Sequence, residues 1–336
     1  MKKRKRILLL CAAAALVLGT AACGAADPGA GQGTEPVESQ AESDSPAGTK
    51  EVLAEIDDNM VSLNSGPQKN LVRIPTASGD VTYGNDTVSV DASNVKNGYV
   101  MVKYTGNVNK IKVQISKGDL TYTYDLNARD AYEVFPMSEG DGTYTVKVFE
   151  NVTGKQYSQA FSQDVPVTLA DEFEPFLYPN QYVNFSKESA AVQKAVQLAT
   201  TAEDELGIVD AVYNYVIDNL TYDKEKAASV QSGYLPDVDK VLAAKKGICF
   251  DYAALMVSML RSQDIPSKLV VGYTGDAYHA WVNVYINGVG WIDNYIYFDG
   301  TNWSLADPTF ASAGGQSDSI KKYIGDGANY QQKYCY

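Results

Sequence analysis

Histidine is almost missing from this 336-residue chain, and His279 is the only one. Cysteine is sparse as well, with four residues, Cys11, Cys23, Cys249 and Cys335. So few soft ligands, so widely spread, exclude a zinc centre, and no metal or organic cofactor is expected. Basic side chains are outnumbered 28 to 41, leaving a net charge of −13. A nucleic-acid partner would need clustered Lys and Arg to displace counterions from phosphate, so none is expected. Long hydrophobic runs are absent too, since the apolar stretch Ile7–Leu18 is too short for a permanent membrane span. What remains, 45% hydrophobic and 21% charged residues, is a globular composition. The length suits about two domains, each able to bury its own core.

The N-terminus reads as an address. Lys2, Lys3, Arg4, Lys5 and Arg6 precede the apolar run, and Ala21-Ala22-Cys23 supplies small residues before a cysteine. Residues 1–22 resemble a bacterial lipoprotein signal peptide. That resemblance implies cleavage before Cys23, lipidation of Cys23, and an extracytoplasmic chain anchored to the bacterial cell membrane. Cleavage would remove five basic and no acidic residues, taking the charge from −13 to −18. Residues 23–50 are Gly, Ala, Pro, Ser and Glu with almost no large apolar side chains, which reads as a disordered linker. The pattern over 51–78 is weak, with a helical turn or two expected around Val52–Met60.

Between about residues 80 and 170 the period becomes two. Val88–Val90, Tyr99–Tyr104, Ile111–Ile115, Leu120–Tyr124, Tyr144–Phe149 and Val165–Leu169 are β-branched and aromatic runs. Turn residues such as Asn97-Gly98 and Gly140-Asp141-Gly142 separate them. Short strands at this spacing predict an all-β, immunoglobulin-like sandwich. Nothing in it has catalytic spacing, and a spacer or substrate-presenting module is expected.

After Pro175 and Pro179 the period turns helical. Ser186 is a candidate N-cap for a helix over 187–199, and Thr201 for one over 202–219. The segment Gly247-Ile248-Cys249-Phe250-Asp251-Tyr252-Ala253 opens a further apolar helix reaching about Gln263, with Cys249 in its first turn. Unpaired N–H groups and the positive end of the helix dipole stabilise a thiolate at such a position. Lys268–Tyr273 and His279–Ile286 read as strands, and a third is expected over about 302–306, ending at Asp307-Pro308-Thr309. If the helix packs on this sheet, Cys249, His279 and Asp307 can converge. Their chemistry is complementary: His279 takes the thiol proton and later protonates a leaving group, and Asp307 orients the imidazole.

In this order, Gly247–Ala253, Ile265-Pro266, Val271-Gly272-Tyr273, His279-Ala280-Trp281-Val282, Gly290-Trp291 and Asp307-Pro308-Thr309 resemble the transglutaminase-like superfamily. Tyr222-Asp223 matches an upstream pair often seen there. The resemblance implies an α+β, papain-like cysteine domain over 186–336, following the β-sandwich of 80–170. It also implies Cys249 as nucleophile, His279 as general base and acid, and Asp307 as orienter. The reaction implied is acyl transfer, or amide or peptide hydrolysis, through a thioester on a protein or peptide substrate. A cell-wall component is one candidate substrate. Trp281, Tyr222 and Tyr278 are candidates for the substrate groove, while Trp281, Trp291 and Trp303 would line the groove of a non-catalytic binding module, although strand tryptophans are more often core or wall than ligand platform.

Alternatives stay open at this stage. The same fold could serve as a non-catalytic, lipid-anchored module presenting a peptide or glycan groove. Asp293 could replace Asp307 as orienter, and a Cys249–Cys335 disulfide would silence the site outside the cytoplasm. The backbone N–H of Cys249 is a candidate oxyanion donor. Asp251 reads as a first-turn carboxylate that favours the helix dipole but opposes a thiolate if it points inward.

Overall fold

The computed structural model describes residues 70–274, 277–287, 290–298, 303–305 and 330–336. The expected lipidation site Cys23, the linker of 23–50 and the turns expected at 52–60 lie outside the described residues.

Eight strands make up the first part: β1 (Thr82–Gly84), β2 (Val88–Asp91), β3 (Tyr99–Tyr104), β4 (Ile111–Lys117), β5 (Leu120–Asp125), β6 (Glu133–Pro136), β7 (Gly142–Thr153) and β8 (Gln156–Val167). They form two antiparallel four-stranded sheets, in the orders β1-β2-β3-β6 and β5-β4-β7-β8. Alternation explains the faces: in β4, Ile111, Val113 and Ile115 are buried, while Lys112, Gln114 and Ser116 are half-buried. Inward residues of both sheets, among them Val90, Val102, Val113, Tyr124 and Val146, share one core, consistent with a β-sandwich.

Two features depart from the period-two reading. β7 and β8 are a long hairpin extending well past the apolar runs 144–149 and 165–169. The outer half of β8 carries Ser158, Gln159, Ser162 and Gln163, which an edge strand tolerates but which hides the strand from an apolar pattern. In β3, Tyr99, Val100, Met101 and Val102 are buried in succession. Its outer face is covered as well: Tyr99 packs on Tyr178 at 5.0 Å and accepts the Thr76 N–H at 3.1 Å.

The second part holds helices α1 (Ala190–Ala199), α2 (Glu205–Asn219), α3 (Lys224–Ser229), α4 (Val238–Ala244) and α5 (Cys249–Arg261). A two-residue parallel pair, β9 (Thr221–Tyr222) with β10 (Lys246–Gly247), lies between them. A five-stranded sheet follows in the order β14-β13-β12-β11-β15. Its strands are β11 (Ser267–Thr274), β12 (Ala277–Ile286), β13 (Gly290–Phe298), β14 (Trp303–Leu305) and β15 (Tyr330–Cys335). Both expected N-caps shift. The Ser186 N–H donates to Ser189 Oγ, and the helix starts after Ser189. Thr201 closes the preceding turn on the Leu198 carbonyl, and Asp204 caps α2 by accepting the Gly207 N–H at 2.8 Å. A carboxylate at the helix start adds a favourable dipole term to the same capping bond.

Every residue of α5 is buried. An apolar helix can be surrounded this way only if its few polar groups find partners. At its C-terminal end the Arg261 guanidinium donates to the carbonyls of Ser267 (2.8 and 3.0 Å), Tyr178 (2.6 Å) and Tyr336 (2.6 Å). One side chain thus ties α5 to the linker after the sandwich, to β11 and to the segment following β15.

The sandwich and the helical part are continuous in space. Tyr122 and Tyr124 of β5 meet Tyr336 at 5.5 and 6.0 Å, and Tyr122 meets Tyr334 at 4.9 Å. Tyr182 bridges Tyr336 at 4.5 Å and Phe250 at 5.6 Å. Cys335 is buried beside Tyr122, whose hydroxyl accepts the Cys335 N–H at 3.2 Å and donates to Glu139 at 2.5 Å. Burial pushes the Cys335 thiol up to about 11, and pushes the phenols of Tyr122, Tyr124 and Tyr336 well above the ordinary tyrosine range.

Two outcomes are expected. Arg261→Met removes charged donors from the Ser267, Tyr178 and Tyr336 carbonyls and should destabilise the fold by about 3 kcal/mol or more, measured as a lower urea midpoint. Raised thiol and phenol values mean that the folded state keeps protons the unfolded state has lost. Stability should therefore hold below about pH 9, where an ordinary thiol begins to ionise, and fall as pH rises through about 11. In Cys335→Ala the decline between pH 9 and 10 should be shallower, read from melting temperatures across that range; an identical slope would show that Cys335 contributes nothing to it.

Candidate functional site

The start of α5 is held from both sides. Before it, β10 pairs with β9, the Thr221 N–H donates to the Lys245 carbonyl at 2.9 Å and the Asp223 N–H to the Gly247 carbonyl at 2.8 Å. Ile248 is extended at the N-cap position, and Cys249 is the first helical residue, 1% exposed. Ile248 has no side-chain acceptor, so the cap comes from within the helix: Asp251 Oδ2 accepts the Ile248 N–H at 2.8 Å. The Asp251 carboxylate is fully buried and takes two more donors, Lys226 Nζ at 2.6 Å and the Tyr234 hydroxyl at 2.5 Å. Lys226 also donates to the Tyr234 oxygen at 2.6 Å and lies over its ring, 4.2 Å from the centroid. Burial, with the Asp251 carboxylate beside it, holds the Tyr234 phenol well above its ordinary value.

Gly247 owes its identity to this carboxylate. A Cβ there would lie 2.7 Å from Asp251 Cβ and 3.1 Å from its Oδ2. The segment Gly247–Asp251 is thus a folding device as much as a carrier of the thiol.

His279 is 4% exposed near the start of β12, in register with Gly272 of β11. α5 packs against β12 and β11, and Ala280, Val282, Val284 and Ile286 of β12 share the core that contains Cys249. Thiol-bearing helix and histidine-bearing strand therefore belong to one packed unit. Trp281 is buried at 2% in a second cluster with Phe176, Val270 and Cys335. Its ring helps to dictate Gly272, where a Cβ would lie 2.9 Å from Trp281 Cη2 and 2.0 Å from the Gln331 carbonyl. Tyr222 and Tyr278 are half-buried, and Tyr278 meets the exposed Tyr273 edge-on at 5.3 Å. Trp291 packs on Phe176 at 5.5 Å, with the Lys268 ammonium 3.8 Å from its ring centroid.

The strand neighbouring β12 is not the one expected. β13 (Gly290–Phe298) pairs with β12, and β14 lies one strand further out, pairing only with β13. The sequence pattern predicts strands over 268–273, 279–286 and about 302–306 and none over 290–298. Asp293 falls within β13, close to where the register against β12 slips between Val282 and Val284. Asp307 lies outside the described residues, as does the side chain of Trp303. Cys249 and Cys335 are not joined by a disulfide; they sit in different clusters. Among the described residues no group of His, Cys, Asp and Glu could hold a metal ion.

A small cleft adjoins the helix start, lined by Phe250 and Val271, by Ser232–Tyr234, and by Lys112 and Asp125 of the sandwich. Lys112 and Asp125 are a cross-strand ion pair at 2.6 Å. The sequence offered no signal for this cleft, for β15 or for the Lys226–Tyr234–Asp251 cluster, because each joins segments far apart in the chain.

Residues 192–308 match the family model of the transglutaminase-like superfamily. This stretch is a transglutaminase-like domain of mixed α and β content. Uncharacterized protein YebA of Bacillus subtilis (strain 168) is 26% identical over 184 residues, 48% of this chain and 25% of that protein. The chain thus spans about a quarter of that relative's length. Among solved structures, a Cytophaga hutchinsonii protein described provisionally as a cysteine protease matches at 15% identity and TM-score 0.35, covering 76% of this chain and 73% of that one. The periplasmic domain of TgpA from Pseudomonas aeruginosa, bound to ethylmercury, matches at 16% identity and TM-score 0.29, covering 65% and 75%. Red sea bream transglutaminase matches at 12% identity and TM-score 0.30, covering 67% and 53%.

Gly247→Ala should force the Asp251 carboxylate away from the helix start and cost about 1–3 kcal/mol, seen as a lower denaturation midpoint. An unchanged midpoint would mean that the close approach is relieved without strain.

Proposed function

We propose that this chain is a cysteine enzyme acting on the acyl group of protein or peptide amides, with Cys249 as nucleophile, His279 as general base and acid, and Asp307 as orienter. The observation that carries this reading is the placement of Cys249 as the first residue of a buried helix packed on the strand that bears the chain's one histidine. Helix N-terminal N–H groups stabilise a thiolate, and a neighbouring imidazole accepts its proton. The thiolate attacks the amide carbonyl, and the Cys249 N–H is a donor for the oxyanion. Collapse forms a thioester and expels ammonia or an amine, which takes its proton from the His279 imidazolium. Attack by water or an acceptor amine then releases the acyl group, passes a proton to His279 and restores the thiol. Tyr222 and Tyr278 are the groove candidates from their partial exposure, whereas Trp281, 2% exposed in the cluster with Phe176, Val270 and Cys335, is a core residue. No step calls for a metal or an organic cofactor. The signal-like N-terminus supports an extracytoplasmic chain anchored through lipidated Cys23, which puts membrane-proximal proteins and cell-wall peptides within reach.

A second reading, a non-catalytic module binding peptide or glycan, is favoured by burial: Cys249 is 1% and His279 4% exposed. One measurement separates the two. The pH dependence of Cys249 alkylation, followed at the peptide level by mass spectrometry, should show a midpoint well below the ordinary thiol value of about 8.5, moving up in His279→Ala. Cys249→Ala and His279→Ala should each lower turnover of glutamine-containing or amide peptides by 10³-fold or more, on the order found for other nucleophile–base pairs. A Cys249 that reacts like a free thiol, indifferent to His279, would leave the binding module standing.

A further inference from the structure

A buried carboxylate two residues after the nucleophile presents an electrostatic problem, because its negative charge opposes the thiolate that the helix start favours. Asp251 cannot be omitted, since its oxygen caps Ile248 and fixes the turn leading into Cys249. The structure solves this with two donors from outside the helix. Lys226 of α3 places its ammonium 2.6 Å from Asp251 Oδ2, and Tyr234, from the loop before α4, donates to Oδ1 at 2.5 Å. α3 is itself set by Asp223, which accepts the Lys226 N–H at 2.9 Å and pairs with Lys246 at 3.2 Å.

We propose that Lys226 and Tyr234 are positioning residues for Cys249: they neutralise Asp251 inside the first turn of α5, so that the carboxylate fixes the geometry of the helix start without cancelling its positive end. The inference rests on the catalytic reading of Cys249. The charged and titratable groups facing this helix start are Asp251 on α5, Lys226 on α3 with the Asp223–Lys246 pair beside it, Tyr234 on the loop, and the Lys112–Asp125 pair of the sandwich across the adjoining cleft, with His279 and Tyr278 on the strand that α5 packs against. Tyr222 and Tyr252 add phenols. Of these pairs only Lys226–Asp251 has a member in the helix's own first turn, so its two members should move the thiol most strongly, and in opposite directions.

The test is the pH midpoint of Cys249 alkylation by iodoacetamide in the full chain, read at the peptide level so that the other cysteines do not interfere. Lys226→Met leaves the carboxylate uncompensated and should raise the midpoint by about one unit or more, since a unit charge within about 12 Å at an effective dielectric near 20 shifts a titration by at least that much. Asp251→Asn keeps an acceptor for the Ile248 N–H, removes the opposing charge and should lower the midpoint. The double variant should return near the wild-type value, and Lys226→Arg should keep it. A purely structural role would lower melting temperatures in these variants without ordering the midpoints by the sign of the charge removed. A rise in Asp251→Asn, or no change in a folded Lys226→Met, overturns the proposal. Should Lys226→Met not fold, Asp251→Asn decides alone: a lower midpoint upholds the proposal, and an unchanged or higher one overturns it. A wild-type midpoint at the free-thiol value would instead defeat the catalytic reading on which the proposal rests.

Discussion

Helices α1, α2 and α4 and strands β11 and β12 pack on a helix with no exposed face. Helix α5 is buried over all thirteen residues, yet it contains Asp251 near one end and Arg261 at the other. In a low-dielectric interior neither charge is tolerable without partners, so each end dictates the chain around it. At the start, Asp251 recruits Lys226, Tyr234 and the Ile248 N–H, and requires a glycine at 247. At the end, Arg261 collects carbonyls from three separate segments. The apolar middle supplies the drive to bury the helix, and the polar ends decide how it sits.

The β-rich domain is drawn into the same constraint. Two of its tyrosines, Tyr122 and Tyr124, pack on the C-terminal Tyr334 and Tyr336, and Arg261 holds the Tyr336 carbonyl. β15 pairs with β11, the strand that also pairs with the histidine-bearing β12. A chain of contacts therefore runs from the sandwich through β15 and β11 to His279. A spacer attached by a flexible hinge would need no such seam. Gln181 reinforces it by donating from the linker to the Asp125 carbonyl and to Glu133 of the sandwich. A sandwich fixed in this way can form part of the wall beside the cysteine helix, and Lys112 and Asp125 do line the adjoining cleft.

What could be read from the sequence follows the range of the forces involved. Period-two runs such as Ile111–Ile115 and the apolar helix after Cys249 are local patterns, and both became the expected elements. The ordered motifs from Gly247 to Gly290-Trp291 pointed to the family that residues 192–308 match. Local reasoning failed where tertiary contact overrides it. Ser186 and Thr201 are good caps by residue type, but Ser189 and Asp204 stand at the helix starts. β8 is polar because its outer face is open, and β15 is a short strand that exists only by pairing with β11. The partners of Asp251 are 17 and 25 residues upstream, beyond any periodicity.

The strand that carries His279 shows why such a site needs a rigid frame. Its even-numbered residues Ala280, Val282, Val284 and Ile286 pack on the side of α5, and Trp281 packs into a second cluster with Phe176 and Cys335. With both faces covered and neighbours on both edges, β12 has little freedom to shift along its axis. A helix start fixed by the Asp251 cluster and a strand clamped between two cores hold their functional groups in a set relation without a ligand present. For the proposed cysteine chemistry such preorganisation would matter, because a nucleophile and base gain from fixed geometry while a promiscuous groove gains from slack. The cost is a thiol placed where burial disfavours its charge. On the proposed reading that cost would be offset by the helix N-terminus and by the Lys226–Asp251 pairing, and the first turn of α5 would be the point where stability and reactivity are decided together.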